Sequence, residues 1–251
     1  MNIRRIFTIV KLEMTRLLTE PITSVFTMLL VPVLILIFGI TMGENYGWHE
    51  TYSIFEIMVP GMLAYGALLS IYDVASSVAG GRELGLQRRI NTTPLTSSEY
   101  IFAQLISYTI KPFIQLLLGL VTAIAVGYRP QNGAVGYLLA ILFVVLLTFS
   151  SVGLGLITAN FSKSAGAAGG FAFIFIVPQQ IFATFIPADF MGAGSFKWIF
   201  PSIYTTEGLG WIFAGWSLTD VYLWMRLGIL FAISLVIYVI GIFVYEKNKN
   251  K

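Results

Sequence analysis

Residues 134–159 read AVGYLLAILFVVLLTFSSVGLGLITA, 26 positions without a charged side chain. As a helix this stretch is roughly 39 Å long, more than the ~30 Å hydrocarbon core of a bilayer. It is a continuous apolar run, whereas a barrel strand alternates apolar and polar residues over about ten positions, so it reads as a membrane-spanning helix. Five more runs of this kind, bounded by charges and turn residues, fall at 22–42, 54–79, 100–127, 165–186 and 221–245. The expected fold is an all-α integral membrane protein with six transmembrane helices, residues 1–251 forming a single transmembrane domain. Composition agrees, with 57% hydrophobic and 11% charged residues where a soluble domain carries about 25% charge. Six spans leave little of the 251 residues for a folded soluble domain, so any ATPase or catalytic domain is expected on another chain.

The residue inventory excludes several chemistries. There is no cysteine and a single histidine, His49, which removes disulfides, thiolate metal ligands and imidazole clusters; no metal site is expected. No Gly-x-x-x-x-Gly-Lys-Ser/Thr loop is present, so the chain does not itself cradle a nucleotide phosphate. No paired carboxylates and no Ser/His arrangement stand within the spans, which argues against an intramembrane enzyme. A scaffold without transport activity stays open on sequence grounds, and no nucleic-acid partner is expected.

Lys and Arg mark the cytoplasmic side of short loops. Arg4, Arg5, Lys11 and Arg16 precede span one, Arg82, Arg88 and Arg89 separate spans two and three, Lys163 separates four and five, and Lys247, Lys249 and Lys251 follow span six. Only Arg129 and Lys197 fall on the other side. Both termini are therefore expected in the cytoplasm, in the cytoplasmic (plasma) membrane of a prokaryote. A cleavable signal peptide is the rival reading of the start. The apolar run begins only after Pro21, is long, and ends without a small-x-small cleavage site, so retention is expected.

Two segments lie outside the ordinary spans on that side. Residues 1–20 contain an amphipathic pattern, with Ile3, Ile6, Phe7, Val10, Met14 and Leu17 opposite Arg4, Thr8, Lys11 and Thr15, suited to a helix lying in the interface. Residues 80–99 form the largest cytoplasmic loop. Gly80 and Gly81 can end the preceding helix, residues 82–90 can make a short one, and Thr96 or Ser97 can cap span three. Such a loop is either a docking element for a partner or a positively charged topology loop.

The order Arg82-Glu83, Gly85-Leu86, Arg88-Arg89, Thr93-Pro94-Leu95 and Ser98-Glu99-Tyr100 resembles the loop after the second span in permease subunits of type-2 ABC transporters, the daunorubicin, nodulation-factor and polysaccharide exporters. The amphipathic start, the six spans and the long segment before the last span extend the likeness to the whole chain. Leu84 and Leu86 depart from the Glu-Lys-Gly-Thr stretch common there. The resemblance implies a non-catalytic transport subunit coupled through Arg82, Glu83, Leu86, Arg88, Arg89 and Pro94 to a nucleotide-binding ATPase subunit. It further implies a second permease copy and no cofactor on this chain, ATP and Mg being bound by the partner. The substrate class implied is hydrophobic or amphipathic: a drug, a lipid or a lipid-linked glycan. The alternative is an ion-coupled secondary transporter or channel, which would call for several intramembrane carboxylates or broken helices.

Residues 187–220 on the outer side are long for a loop and rich in aromatics, and Pro201 divides them into two apolar pieces too short to span. Short re-entrant outer helices are expected; the resemblance implies a role in the exit gate, and an interfacial aromatic belt is the plainer alternative. Span five opens with Gly166 and Gly170, a small-xxx-small face suited to packing within the chain or to a dimer seam, the former favoured. Further along it, Phe171, Phe175, Pro178, Phe182 and Phe185 fall on one side beside Gln179 and Gln180. The resemblance, in which spans two and five line the route, implies Tyr65, Tyr72, Gln179 and Phe182 as pathway residues. Asp73 in span two and Lys111 in span three are each costly in a bilayer, and their depths suit a structural ion pair. Arg226 and Asp220 lie near the outer end of span six, where water can reach them.

Overall fold

Ser53 begins the central helix. Its Oγ accepts from the Glu56 amide at 3.2 Å while Glu56 Oε2 accepts from the Ser53 amide at 2.9 Å, a reciprocal cap that satisfies two otherwise orphaned donors. The computed structural model describes residues 3–19, 21–42, 53–85, 97–185 and 197–248. In chain order its helices are α1 (Ile3–Thr19), α2 (Pro21–Met42), α3 (Ile54–Glu83), α4 (Ser97–Ala125), α5 (Ala134–Asn160), α6 (Ala165–Gln180), α7 (Pro201–Phe213) and α8 (Val221–Asn248). A π-helical turn, Ile181–Phe185, continues α6, and a 3₁₀ turn, Lys197–Ile199, precedes α7. Among the described residues there is no strand, and six helices are long and apolar enough to cross a membrane: α2, α3, α4, α5, α6 with its π turn, and α8.

α3 is the hub, touching α2, α4, α5, α6 and α7. Of its most apolar window 78% is buried, against 17% of the corresponding window of α8. Small residues make this possible. Gly61, Ala64, Gly66, Ala67, Ala75 and Ala79 are all buried, and small side chains let backbones approach where lipid supplies no hydrophobic drive. The same device joins α5 to α8. A Cβ on Gly153 would lie 2.7 Å from the Ile237 carbonyl oxygen, and one on Gly241 only 2.6 Å from that of Gly153.

The helices follow the sequence reading closely, with one informative difference at the C-terminal end of α3. The helix does not stop at Gly80–Gly81; it runs through both to Glu83. The left-handed residue that ends it is Gly85, at φ 66°, whose amide donates to the Arg82 carbonyl at 3.0 Å while the Leu84 amide donates to that of Gly80, also at 3.0 Å. Glycine is tolerated inside a helix when the backbone is held by packing, whereas the reversal at its end requires a positive φ.

α1 forms as the amphipathic pattern requires, but the face it turns to the chain differs from the apolar stripe. Ile6 and Glu13 are buried, whereas Ile3 and Phe7 are exposed. Glu13 is drawn inward because α4 offers donors: Gln104 Nε2 lies 2.9 Å from Oε1 and the Tyr108 hydroxyl 3.5 Å from Oε2. Arg5 adds a 3.8 Å ion pair with Glu99.

α7 starts at Pro201 itself, proline being suited to the first helical position. It is packed among α3, α5 and α8, with Leu209, Ile212 and Phe213 buried. Its last carbonyls do not face lipid unpaired. The Gln131 amide donates to Phe213 O at 3.0 Å and Asn132 Nδ2 donates to Ile212 O, which meets the requirement that backbone ends at membrane depth find protein partners.

Candidate functional site

At the C-terminal end of α3, Arg82 and Glu83 belong to its last turn and are engaged within the chain. Arg82 Nη2 donates to Asn160 Oδ1 at 2.8 Å and Nη1 to Ala159 O at 3.3 Å, at the C-terminus of α5. A cation suits the negative end of a helix dipole. The same guanidinium lies 5.8 Å from the Tyr245 ring of α8. Glu83 Oε2 accepts from the Ala165 amide at 3.1 Å, at the N-terminus of α6. The two residues thus clamp the end of α3 to the turn between α5 and α6, and are not part of a separate short helix beginning at 82. Leu86, Arg88, Arg89 and Pro94 lie outside the described residues.

Deeper in the bundle, Lys111 of α4 meets Asp73 of α3 with Nζ 2.6 Å from Oδ2; their side chains are 3% and 12% exposed. Removing one partner of such a buried pair costs about 3–5 kcal/mol because the other is left uncompensated. The pair stands beside a further polar contact, Ser70 Oγ donating to Tyr108 O at 3.4 Å.

The four residues expected along a pathway lie on α3 and on α6 with its π turn. Tyr65 and Tyr72, seven positions apart and so on one side of α3, are half-buried. Tyr72 meets Phe173 at 5.9 Å and lies against Gly169, where a Cβ would come within 2.5 Å of the ring. Phe182, in the π turn, stacks on Phe200 at 5.6 Å and 13°. Gln179 is turned into the bundle, 2% exposed, with Nε2 donating to Phe175 O at 3.1 Å and its own carbonyl accepting from Ser202 Oγ at 3.4 Å. Gln180 is buried too, and neither amide atom has a hydrogen-bond partner.

Packing within the chain does not use Gly166 and Gly170. A Cβ at either position would meet nothing within 4 Å. At 100° per residue they share the outward face of α6 with Phe173, Ile174 and Val177, all exposed, whereas Ala168, Gly169, Ala172 and Ile176 face α3. The close approach is made one position away, at Gly169.

A further cluster surrounds Arg226, which sequence reading left within reach of water. Arg226 of α8 is buried, and its Nη2 lies 2.7 Å from Glu207 Oε2 of α7. Lys197 Nζ is 3.8 Å from the other carboxylate oxygen. Rings wall the cations. Arg226 lies 4.0 Å from the Trp198 ring and 4.4 Å from that of Tyr222, and Lys197 is 4.4 Å from Trp198. The Tyr222 hydroxyl donates to Glu207 Oε2 at 3.0 Å and Tyr204 Oη to Trp198 O at 2.8 Å. Burial raises the Tyr204 phenol above its ordinary value, Arg226 opposing and Glu207 adding, so it remains a neutral donor near pH 7. Each cation–π contact is worth about 0.5–2 kcal/mol, less than the several kcal/mol that desolvating an ion costs; the carboxylate is what makes burial tolerable. The signals in sequence were one carboxylate, Glu207, inside an otherwise uncharged 13-residue helix and one Arg five residues into span six. Asp220 is exposed and caps α8 by accepting from the Tyr222 amide at 2.8 Å.

Among the described residues no group of His, Cys, Asp and Glu could hold a metal ion. The family model described as ABC-2 type transporter matches residues 4–214, well over half of the chain. No curated protein matches the chain closely enough to be counted a relative.

Proposed function

The chain belongs to the ABC-2 type transporter family, and from that premise we propose that it is the permease subunit of an ATP-driven exporter for a hydrophobic or amphipathic substrate. It works with a second permease copy and with nucleotide-binding subunits that hold ATP and Mg. The observation that carries the reading is the clamp at the end of α3. The loop 86–96 follows directly on a helix whose last turn is bonded to the start of α6 through Glu83 and to the end of α5 through Arg82. A push on that loop is therefore delivered to the hub helix and to α6 together.

Pro178 and the π turn support the next step. A proline removes one ladder hydrogen bond, and π turns recur where helices change shape in function. The outer end of α6 then moves relative to its cytoplasmic end, α7 moves with it, and a route opens along the face that Tyr65 and Tyr72 share. ATP binding elsewhere reaches this chain only as a difference in contact between two states. Ile3 and Phe7, exposed on α1, suit a helix resting in the cytoplasmic interface, and the outward face of α6 with Gly166 and Gly170 suits the seam with the second copy.

Copurification from membranes tests the reading, since a tagged chain should bring down an ATPase subunit. The pair Arg88→Glu with Arg89→Glu should abolish ATP-dependent transport while leaving the fold intact. Transport unchanged by that pair, with no ATPase recovered, would refute coupling through the loop.

A further inference from the structure

Among the described residues, the outer cluster carries more positive than negative formal charge. Lys197 is 6% exposed and Arg226 8%, and among the described residues Glu207 is the one carboxylate that pairs with either, serving both. Arg226 Nε is buried and has no hydrogen-bond partner. The rings of Trp198 and Tyr222 lie against the guanidinium at 4.0 and 4.4 Å, and they cannot accept an in-plane N–H bond. A buried donor edge beside a second cation calls for an anionic acceptor. The neighbouring positions Ile199, Val221, Trp224 and Met225 are exposed and apolar, as suits a surface met by acyl chains.

We propose that Lys197, Arg226, Trp198 and Tyr222 form a recognition site for a net-anionic phosphate-ester headgroup, one without a cation of its own, carried on an apolar tail and entering from the outer leaflet. A phosphate fits better than a carboxylate. Glu207 already offers the two oxygens that bridge the cations, and the remaining donors, the Arg edge and the Lys ammonium, point-charge and fork together, match an anion with more than two acceptor oxygens. The headgroup belongs either to a resident lipid or to the transported molecule. The proposal concerns binding alone, so it stands apart from the coupling to an ATPase.

The test uses the purified full-length chain in phosphatidylcholine nanodiscs, titrated with dioctanoyl phosphatidylglycerol. Binding is read from intrinsic fluorescence as the difference from Trp198→Phe and, independently, by native mass spectrometry. Saturable binding is expected, weakened about tenfold or more by Lys197→Gln and by Arg226→Gln, the loss of one charge-assisted contact. Lys197→Gln leaves the Arg226–Glu207 bond in place and so keeps the test open if Arg226→Gln fails to assemble. Glu207→Gln should tighten binding, because it frees both cations; a cluster that only holds helices together gives weaker or unchanged binding there. Dioctanoyl phosphatidylcholine or laurate binding as well as phosphatidylglycerol would overturn the headgroup assignment, and inorganic phosphate competing equally would overturn the need for a tail. Absence of saturable binding to the native chain would overturn the proposal. With binding established, stimulation of ATPase activity in the reconstituted complex by the same lipid identifies the transported molecule as its source, and no stimulation identifies a resident lipid.

Discussion

Neutralising Lys111 isolates what the buried ion pair contributes. At 2.6 Å from Asp73 Oδ2, its attraction for the carboxylate is about 6 kcal/mol at the effective dielectric near 20 that suits protein sites. Desolvation of both ions offsets much of this, so the pair itself adds little net stability. Removing one side is different. Lys111→Met leaves Asp73 buried without a partner, and Asp73→Asn leaves an ammonium that is 3% exposed; each should cost about 3–5 kcal/mol. The double variant buries no charge and should return to within ~1 kcal/mol of the native protein. Reversible unfolding of the four proteins in mixed micelles, followed by circular dichroism and titrated with a denaturing detergent, measures the cycle. A coupling energy above about 2 kcal/mol stands clear of the ~0.5 kcal/mol scatter of independent sites. If the double variant costs the sum of the two singles, the pair is not what stabilises the bundle. If a single variant keeps native stability and loses transport, the two residues belong to a relay.

Three further outcomes follow from the packing and topology. Gly153→Val should lose about 1–3 kcal/mol or more, read as lowered thermal stability in detergent, because the backbone atoms at 2.7 Å cannot yield; Gly228→Ala, which meets open space, should change stability by less than about 0.5 kcal/mol. Gly166→Leu with Gly170→Leu should leave the monomer's stability unchanged within about 0.5 kcal/mol and shift the purified protein from dimer to monomer in mass photometry; a persistent dimer would exclude that face as the seam. Because the chain has no cysteine, single replacements report topology directly: an impermeant maleimide on intact cells should label Gly133→Cys and spare Lys163→Cys, and the reverse pattern would invert the assigned orientation.

Hydropathy carried the number, order and approximate ends of the spans, since a continuous apolar run longer than the bilayer core has one stable form, a helix with its backbone bonds satisfied internally. Where a helix ended was less legible. Gly80–Gly81 and Gly85 are the same residue type, and only the bonds from Arg82 to Asn160 and from Glu83 to Ala165 make it favourable for α3 to continue past the first two. The ion pair between Asp73 and Lys111 was readable because two charges in apolar runs at matching depth have few other ways to be neutralised. Glu13 and Glu207 were not, since each finds its partners on another element, α4 for Glu13 and the 3₁₀ turn with α8 for Glu207, and a lone carboxylate looks solvated until those elements are placed.

By itself, then, the order of residues determined that the chain is a bundle of six apolar helices long enough to span, because burial in lipid is a property of each segment alone. Which face of each helix meets which neighbour was settled in three dimensions. The small residues of α6 offer two nearly equal faces one position apart, and Gly169 rather than Gly166 or Gly170 meets Tyr72 because contact depends on helix rotation, which periodicity leaves free. Arg226 is buried and not solvated for the same reason: Tyr222 stands one turn back on its own helix, but Glu207 of α7 and Trp198 of the 3₁₀ turn are brought to 2.7 and 4.0 Å only in the folded chain.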